Sequence, residues 1–286
     1  MVISDCSVSR CAWLTGLALS EGAEGPELEG RPVQCLSVPA GAFPALEGAL
    51  AAGPLGCGRQ ITHAADLVSG EYCLVLERGQ PLSAREVAAD VASLEALGEH
   101  AGDWQGRHPA SAIPEGAGYR RGVLQQQARE RATVAAAGLD EPARAVLDAE
   151  LHHQSLYRFE DLPLAGSYWR SVRVYPEGAG LADLVVPPAP VPAFWQLARI
   201  ALAVAVDAEG RPDAERYRAV LTGYSHSRPL AAIERGAAPT LLRLAALDDW
   251  LQRLERGDPG TAERTRLAGL QEHAARLQGV WVSAAA

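Results

Sequence analysis

Several groupings in this chain have residue types that do chemistry in other proteins. Ser225-His226-Ser227 sets a hydroxyl on either side of an imidazole. No nucleophile-elbow pattern surrounds it, so hydrolytic chemistry is not expected there. His152-His153 are adjacent on a predicted helix and point about 100° apart, so they do not chelate one metal by themselves and read as a solvated face. Asp248-Asp249 likewise read as surface charge on a helix. Gly53-Pro54-Leu55-Gly56-Cys57-Gly58 matches a phosphate-binding glycine string loosely, but it neither follows a clear strand nor opens a helix and reads as a turn. Cys6, Cys11, Cys35, Cys57 and Cys73 form no CxxC pair and are odd in number. They are expected to be buried or free thiols in a reducing compartment rather than a zinc site.

Two residue types are missing, and their absence restricts the chemistry further. All 26 basic residues are arginine, and the chain has neither lysine nor asparagine. No lysine can cradle a nucleotide phosphate, form a Schiff base or act as an amine base. No asparagine can hold a magnesium ion. The net charge of −9 disfavours nucleic acid and anionic membrane as partners, since both need a cationic footprint. No apolar run reaches the roughly 18 residues of a membrane span, and Met1 to Arg10 has no basic segment ahead of an apolar stretch. A cytoplasmic protein is expected.

The elements that must position any site change character along the chain. Val33–Val38 and Tyr72–Leu76 read as strands, with a short helix over Phe43–Ala52 between them. Glu77–Pro81 reads as a linker. Ser83 and Glu86 then form a capping box ahead of a helical stripe of Val87, Val91, Leu94 and Leu97. Further helices are predicted at about 119–137, 141–157, 192–206, 213–223, 239–256 and 261–278, with Asp140 and Asp213 as N-caps. Residues 172–175 and 181–186, joined by a turn at Pro176-Glu177-Gly178, read as a β-hairpin inside this helical region. The fold class is α+β. It has a small strand-rich N-lobe over 1–79 and a larger helical C-lobe over 80–286 with an embedded β-hairpin, the layout of kinase-like phosphotransferases.

The C-terminal half carries a more specific likeness. An Asp207-Ala208-Glu209-Gly210-Arg211-Pro212-Asp213 loop precedes Gly223-Tyr224, Arg228-Pro229-Leu230 and Glu234. This series resembles the homoserine kinases of the proteobacterial type, within the aminoglycoside-phosphotransferase, protein-kinase-like superfamily. The likeness is good over about 145–255 and loose over 70–105. It implies a catalytic loop of the form H-x-D-x-x-x-x-N and a metal-binding aspartate on the following hairpin. The first aspartate would take the substrate proton, and the asparagine and second aspartate would hold Mg²⁺ against the nucleotide phosphates.

This sequence departs from that pattern at each catalytic position. Aligned from Leu162-Pro163, Ser167 stands at the catalytic aspartate, Val172 at the asparagine and Val186 at the second aspartate. Asp183 is near Val186 but three residues away, and strand alternation would turn it to the opposite face. Serine is a poor base without an activating partner, and valine cannot coordinate a hard cation. Tyr168, Trp169, Arg170 and Arg173, on or just after the degenerate loop, are candidate ligand-binding residues, offering aromatic surface and guanidinium groups to a flat or anionic ligand. Tyr224 and Arg228 are expected to lock helices together. The resulting expectation is a homoserine-kinase-like pseudoenzyme that binds an unknown small molecule or protein partner and needs no cofactor. The alternative is an active ATP- and Mg²⁺-dependent kinase for homoserine or a similar small hydroxyl substrate in threonine biosynthesis.

Overall fold

The computed structural model describes residues 4–22, 25–52, 60–82, 90–107, 123–157, 162–175, 178–185 and 190–284. Val186, Cys57 with the Gly53–Gly58 string, and the capping box at Ser83 lie outside the described residues.

The chain opens with β1 (Ser4–Asp5), α1 (Val8–Thr15), the hairpin β2 (Leu19–Gly22) and β3 (Gly25–Leu28), β4 (Arg31–Pro39), α2 (Phe43–Ala52), β5 (Gln60–Asp66) and β6 (Glu71–Glu77). These strands form one antiparallel sheet in the order β2-β3-β4-β6-β5, with β1 also pairing to β4. In the central pair, Cys35 lies opposite Val75 and Leu36 opposite Leu74. The period-2 alternation of a strand therefore divides the apolar residues between two faces. Leu36, Val38, Leu74 and Leu76 join the main core, together with Phe43 and Leu46 of α2. Val33, Cys35, Cys73 and Val75 form a second cluster with Cys6 and Cys11.

That second face corrects the reading of the cysteines. Cys11 on α1 is disulfide-bonded to Cys73 on β6, while Cys6 and Cys35 are free and buried. A separation of 62 residues hides the pair in the sequence, and only the sheet order brings α1 over β6. Burial pushes the Cys35 thiol up to about 12, so it stays protonated. Arg10 reinforces the seating of α1, donating to Asp66, Ser69 and Glu71 at the β5–β6 turn.

After β6 comes β7 (Gln80–Pro81), and the segment read as a linker thus contains a strand paired to the later hairpin. The helical lobe contains α3 (Val91–Arg107), α4 (Val123–Ala135), α5 (Glu141–Ser155), β8 (Leu164–Ala165), β9 (Tyr168–Tyr175), β10 (Gly178–Val185), β11 (Val191–Pro192), α6 (Trp195–Ala205), α7 (Ala214–Ser227), α8 (Ala232–Glu255), α9 (Thr261–Glu272) and α10 (Ala274–Ala284). Asp140 and Asp213 cap α5 and α7 through their side chains, as expected. The β9–β10 hairpin is also present, with β9 beginning at Tyr168 rather than Val172. The long helix α8 begins at Ala232, not near Pro239. Its first turn is fixed by Glu234, whose carboxylate accepts the Ala231 N–H, and Pro239 lies inside the helix.

Helices α3 and α7 meet backbone to backbone. A Cβ on Gly98 would lie 2.1 Å from the Val220 carbonyl oxygen, and one on Gly223 would lie 1.8 Å from that of Glu95. Only glycine fits these crossings, so the glycine of the Gly223-Tyr224 pair has a packing reason.

Candidate functional site

A cavity of about 780 Å³ lies between the N-terminal sheet and the hairpin side of the helical lobe. Its upper wall comes from β1, β2 and β4, and its lower wall from β9, β10, α6, α8 and α9. That size accommodates a nucleotide-sized ligand.

The loop that should carry a catalytic base is almost absent. Between β8 and β9 the chain has only Gly166 and Ser167. Ser167 is buried; its Oγ accepts from Trp104 Nε1 at 3.1 Å, and its carbonyl accepts from Gln105 Nε2 at 3.0 Å. It is not among the residues lining the cavity. Trp169 packs edge-on to Trp104, with ring centres 5.0 Å apart, and Tyr168 packs edge-on to Trp195. Gln196 of α6 holds the Trp169 backbone from both sides, accepting its N–H at 2.5 Å and donating to its carbonyl at 2.9 Å. Tyr168 and Trp169 are therefore core residues, whereas Arg170, Val172 and Arg173 line the cavity.

Two further polar side chains line the cavity: Asp183 on the lower wall, which strand alternation would have turned away, and Gln34 on the upper wall, which the sequence does not mark out. Asp183 adopts a left-handed backbone conformation (φ 61°), and strand alternation does not predict its contacts. Its carboxylate accepts from Ser171 Oγ and forms an ion pair with the Arg78 guanidinium. Gln34 reaches from β4 to the peptide groups of Leu184, donating to the carbonyl at 3.0 Å and accepting from the N–H at 2.9 Å. This amide thus joins the sheet to the hairpin across the cleft, in the manner of one rung of a strand ladder. Their only sequence signal is a polar residue set among apolar strand neighbours.

Deeper in the lower wall, Arg199 is almost fully buried and donates to the carbonyls of Arg170 and Ala245 and to the carboxylates of Asp248 and Asp249. Burial works against its charge, and the two carboxylates outweigh burial and keep it protonated. Burial pushes the Asp249 carboxyl up while Arg199 pulls it down. The Asp248-Asp249 pair is thus an anchor for a buried arginine and not mere surface charge. Arg131 of α4 also binds Asp248, at 2.5 Å.

Tyr224 and Arg228 lie at the α7–α8 corner, outside the cavity wall. Tyr224 is fully buried and its hydroxyl accepts from Arg228 at 3.2 Å. Arg228 also donates to the buried Glu234 at 2.8 Å. His152 is exposed and His153 half-buried on α5, and among the described residues the one grouping of possible metal-ligand atoms, Cys6, Cys11 and Cys73, has two of its three sulfurs tied up in the disulfide. No described helix is long and apolar enough to cross a membrane.

No family model matches this chain. Among solved structures, amicoumacin kinase hAmiN in complex with AMP-PNP, Ca²⁺ and Ami is similar with a TM-score of 0.56 at 11% identity, over 95% of this chain and 92% of that one. A variant of aminoglycoside 2'-phosphotransferase-IIIa in its GDP complex is similar with a TM-score of 0.51 at 14% identity, over 92% of this chain and 93% of that one. The antiparallel N-terminal sheet, followed by a helical lobe that carries a β-hairpin, is the kinase-like fold of the aminoglycoside phosphotransferases.

Proposed function

We propose that this protein is a phosphotransferase-fold pseudoenzyme that no longer transfers a phosphoryl group and instead binds a ligand between its sheet and its helical lobe. The observation that carries this reading is the burial of Ser167 against Trp104 and Gln105 in a two-residue β8–β9 connection. A general base must come within hydrogen-bond reach of the proton it removes. A buried serine hydroxyl engaged by an indole is neither basic nor in reach. Asp183, the carboxylate on the hairpin floor, is engaged by Arg78 and Ser171. A guanidinium at that carboxylate competes with any divalent cation for the same oxygens. The likeness of residues 206–234 to homoserine kinases supports amino-acid metabolism as the setting in which the ligand is met.

The test is ADP formation by the purified chain with Mg-ATP and either homoserine or an aminoglycoside as acceptor. The expected result is no ADP above the protein-free control with either acceptor. Turnover with homoserine would overturn the reading in favour of an active homoserine kinase, and turnover with the aminoglycoside would overturn it in favour of a resistance-type kinase.

A further inference from the structure

The walls of the cavity have the opposite charge to the rest of the chain. Arg78 contributes from the end of β6, Arg170 and Arg173 from β9, Arg199 from α6, Arg253 and Arg256 from α8 and its C-terminal end, and Arg266 from α9. Against these seven arginines stand five acids: Asp5, Glu21, Asp183, Asp249 and Glu263. The wall thus carries two formal positive charges in excess, in a chain whose net charge is −9.

The distribution matters more than the excess. Three of the acids are already matched: Asp183 by Arg78, Asp249 by Arg199 and Glu263 by Arg253. The two others, Asp5 and Glu21, are exposed on the sheet side. On the lower wall Arg170 and Arg256 line the cavity in addition to these pairs, and Arg266 beside them donates to the Asp207 carbonyl at 3.2 Å. Among the described residues, Arg170 and Arg256 form no ion pair, and the Nε of Arg170 is buried without a hydrogen-bond partner. Guanidinium groups recognise phosphate and carboxylate oxygens by paired hydrogen bonds.

We propose that the cleft binds a polyanionic small molecule, a polyphosphate or polycarboxylate, through Arg170, Arg256 and their neighbours on the lower wall, without a divalent cation. The arginines take the charge-neutralising part that a metal ion would otherwise supply, and Arg78 holds Asp183 so that this carboxylate does not repel the ligand. The proposal rests on the binding role given above and specifies the ligand class.

The experiment is calorimetric titration of the full chain in EDTA with inorganic tripolyphosphate in one arm and citrate in the other, with spermidine as the oppositely charged control. At least one anion is expected to bind in EDTA, weakening as salt rises, and added Mg²⁺, which complexes both anions in solution, is not expected to tighten that binding, while spermidine gives no heat. Arg170→Gln and Arg256→Gln should each weaken that binding by about tenfold, the size of one charge-assisted hydrogen bond. Arg256 is exposed, so its variant keeps the test open if Arg170→Gln folds poorly. No heat with either anion, binding that requires Mg²⁺, or binding indifferent to both substitutions would overturn the proposal. These outcomes are separate from ADP formation, which bears on the pseudoenzyme reading alone.

Discussion

The α7–α8 corner and the cleft floor are built from the same materials, buried polar side chains that hydrogen-bond to one another and to backbone, yet they serve different ends. At the corner, Tyr224, Arg228 and Glu234 form a closed series in which each group has a partner within the series. On the floor, Arg78, Ser171 and Asp183 satisfy one another, while Arg170 a few ångströms of chain away keeps an unmet donor. The corner carries residues on which the expected resemblance to homoserine kinases rests, and the floor lies beside the positions that depart from that expected pattern. In this molecule the recognisable motif holds helices together. On the reading proposed above, the positions expected to carry chemistry include Ser167, which is packed against Trp104 and Gln105, and Val172, which is buried. Sequence likeness here therefore reports on the scaffold more than on the reaction.

This contrast can be broken most forcefully at the α3–α7 crossing. Gly98→Val places side-chain atoms where a Cβ alone would already stand 2.1 Å from a carbonyl oxygen. The expected loss is about 4 kcal/mol or more, seen as insoluble expression or collapse of the urea midpoint. Tolerance of this change would mean that α3 and α7 do not meet as described. Next in size is Glu234→Gln, which leaves Arg228 part-buried without its counter-charge. It should cost about 3 kcal/mol in urea unfolding, and replacing both partners with methionine should recover part of that loss. By comparison Arg256→Gln, on the exposed side of the cleft, should change stability by less than about 0.5 kcal/mol. Corner and cleft variants of equal effect would erase the distinction.

A smaller effect concerns pH. Burial holds His100 and His153 below the ordinary histidine value of 6.5, with Arg243 adding to the effect at His153. Each is therefore neutral in the folded chain at a pH where the unfolded chain binds a proton. Their contribution to stability is complete above about 6.5 and is lost as the pH falls below it through the lower folded values. The melting temperature should fall between pH 7.5 and pH 5, and His153→Gln should reduce that slope. An unchanged slope would show that His153 is not held neutral in the folded protein.

What could be read from the sequence follows the range of the interactions. The caps Asp140 and Asp213, the short helix Phe43–Ala52 and the hairpin of β9 and β10 are set by neighbours in the chain, and their patterns are visible as spacing. Cys11–Cys73, Arg78–Asp183 and Gln34–Leu184 join residues 62, 105 and 150 positions apart, and no local pattern records them. The boundaries of β9 and α8 are hidden in the sequence for a related reason. Gln196 extends β9 back to Tyr168 by binding the Trp169 backbone, and Glu234 starts α8 seven residues before its proline. Tyr168 and Trp169, aromatic and adjacent to a degenerate loop, look alike as ligand platforms and as core, and only their burial against Trp195 and Trp104 separates the two.

The most direct test of the central claim uses the chain in excess over γ-labelled ATP with Mg²⁺, so that a single slow turnover to water or any bound acceptor would be seen. The label is expected to stay on ATP over hours, with release no faster than in the protein-free control. Release of the γ-phosphate that requires Mg²⁺ and disappears in Asp183→Asn would contradict it, because the carboxylate held by Arg78 and Ser171 would then be holding a working metal ion.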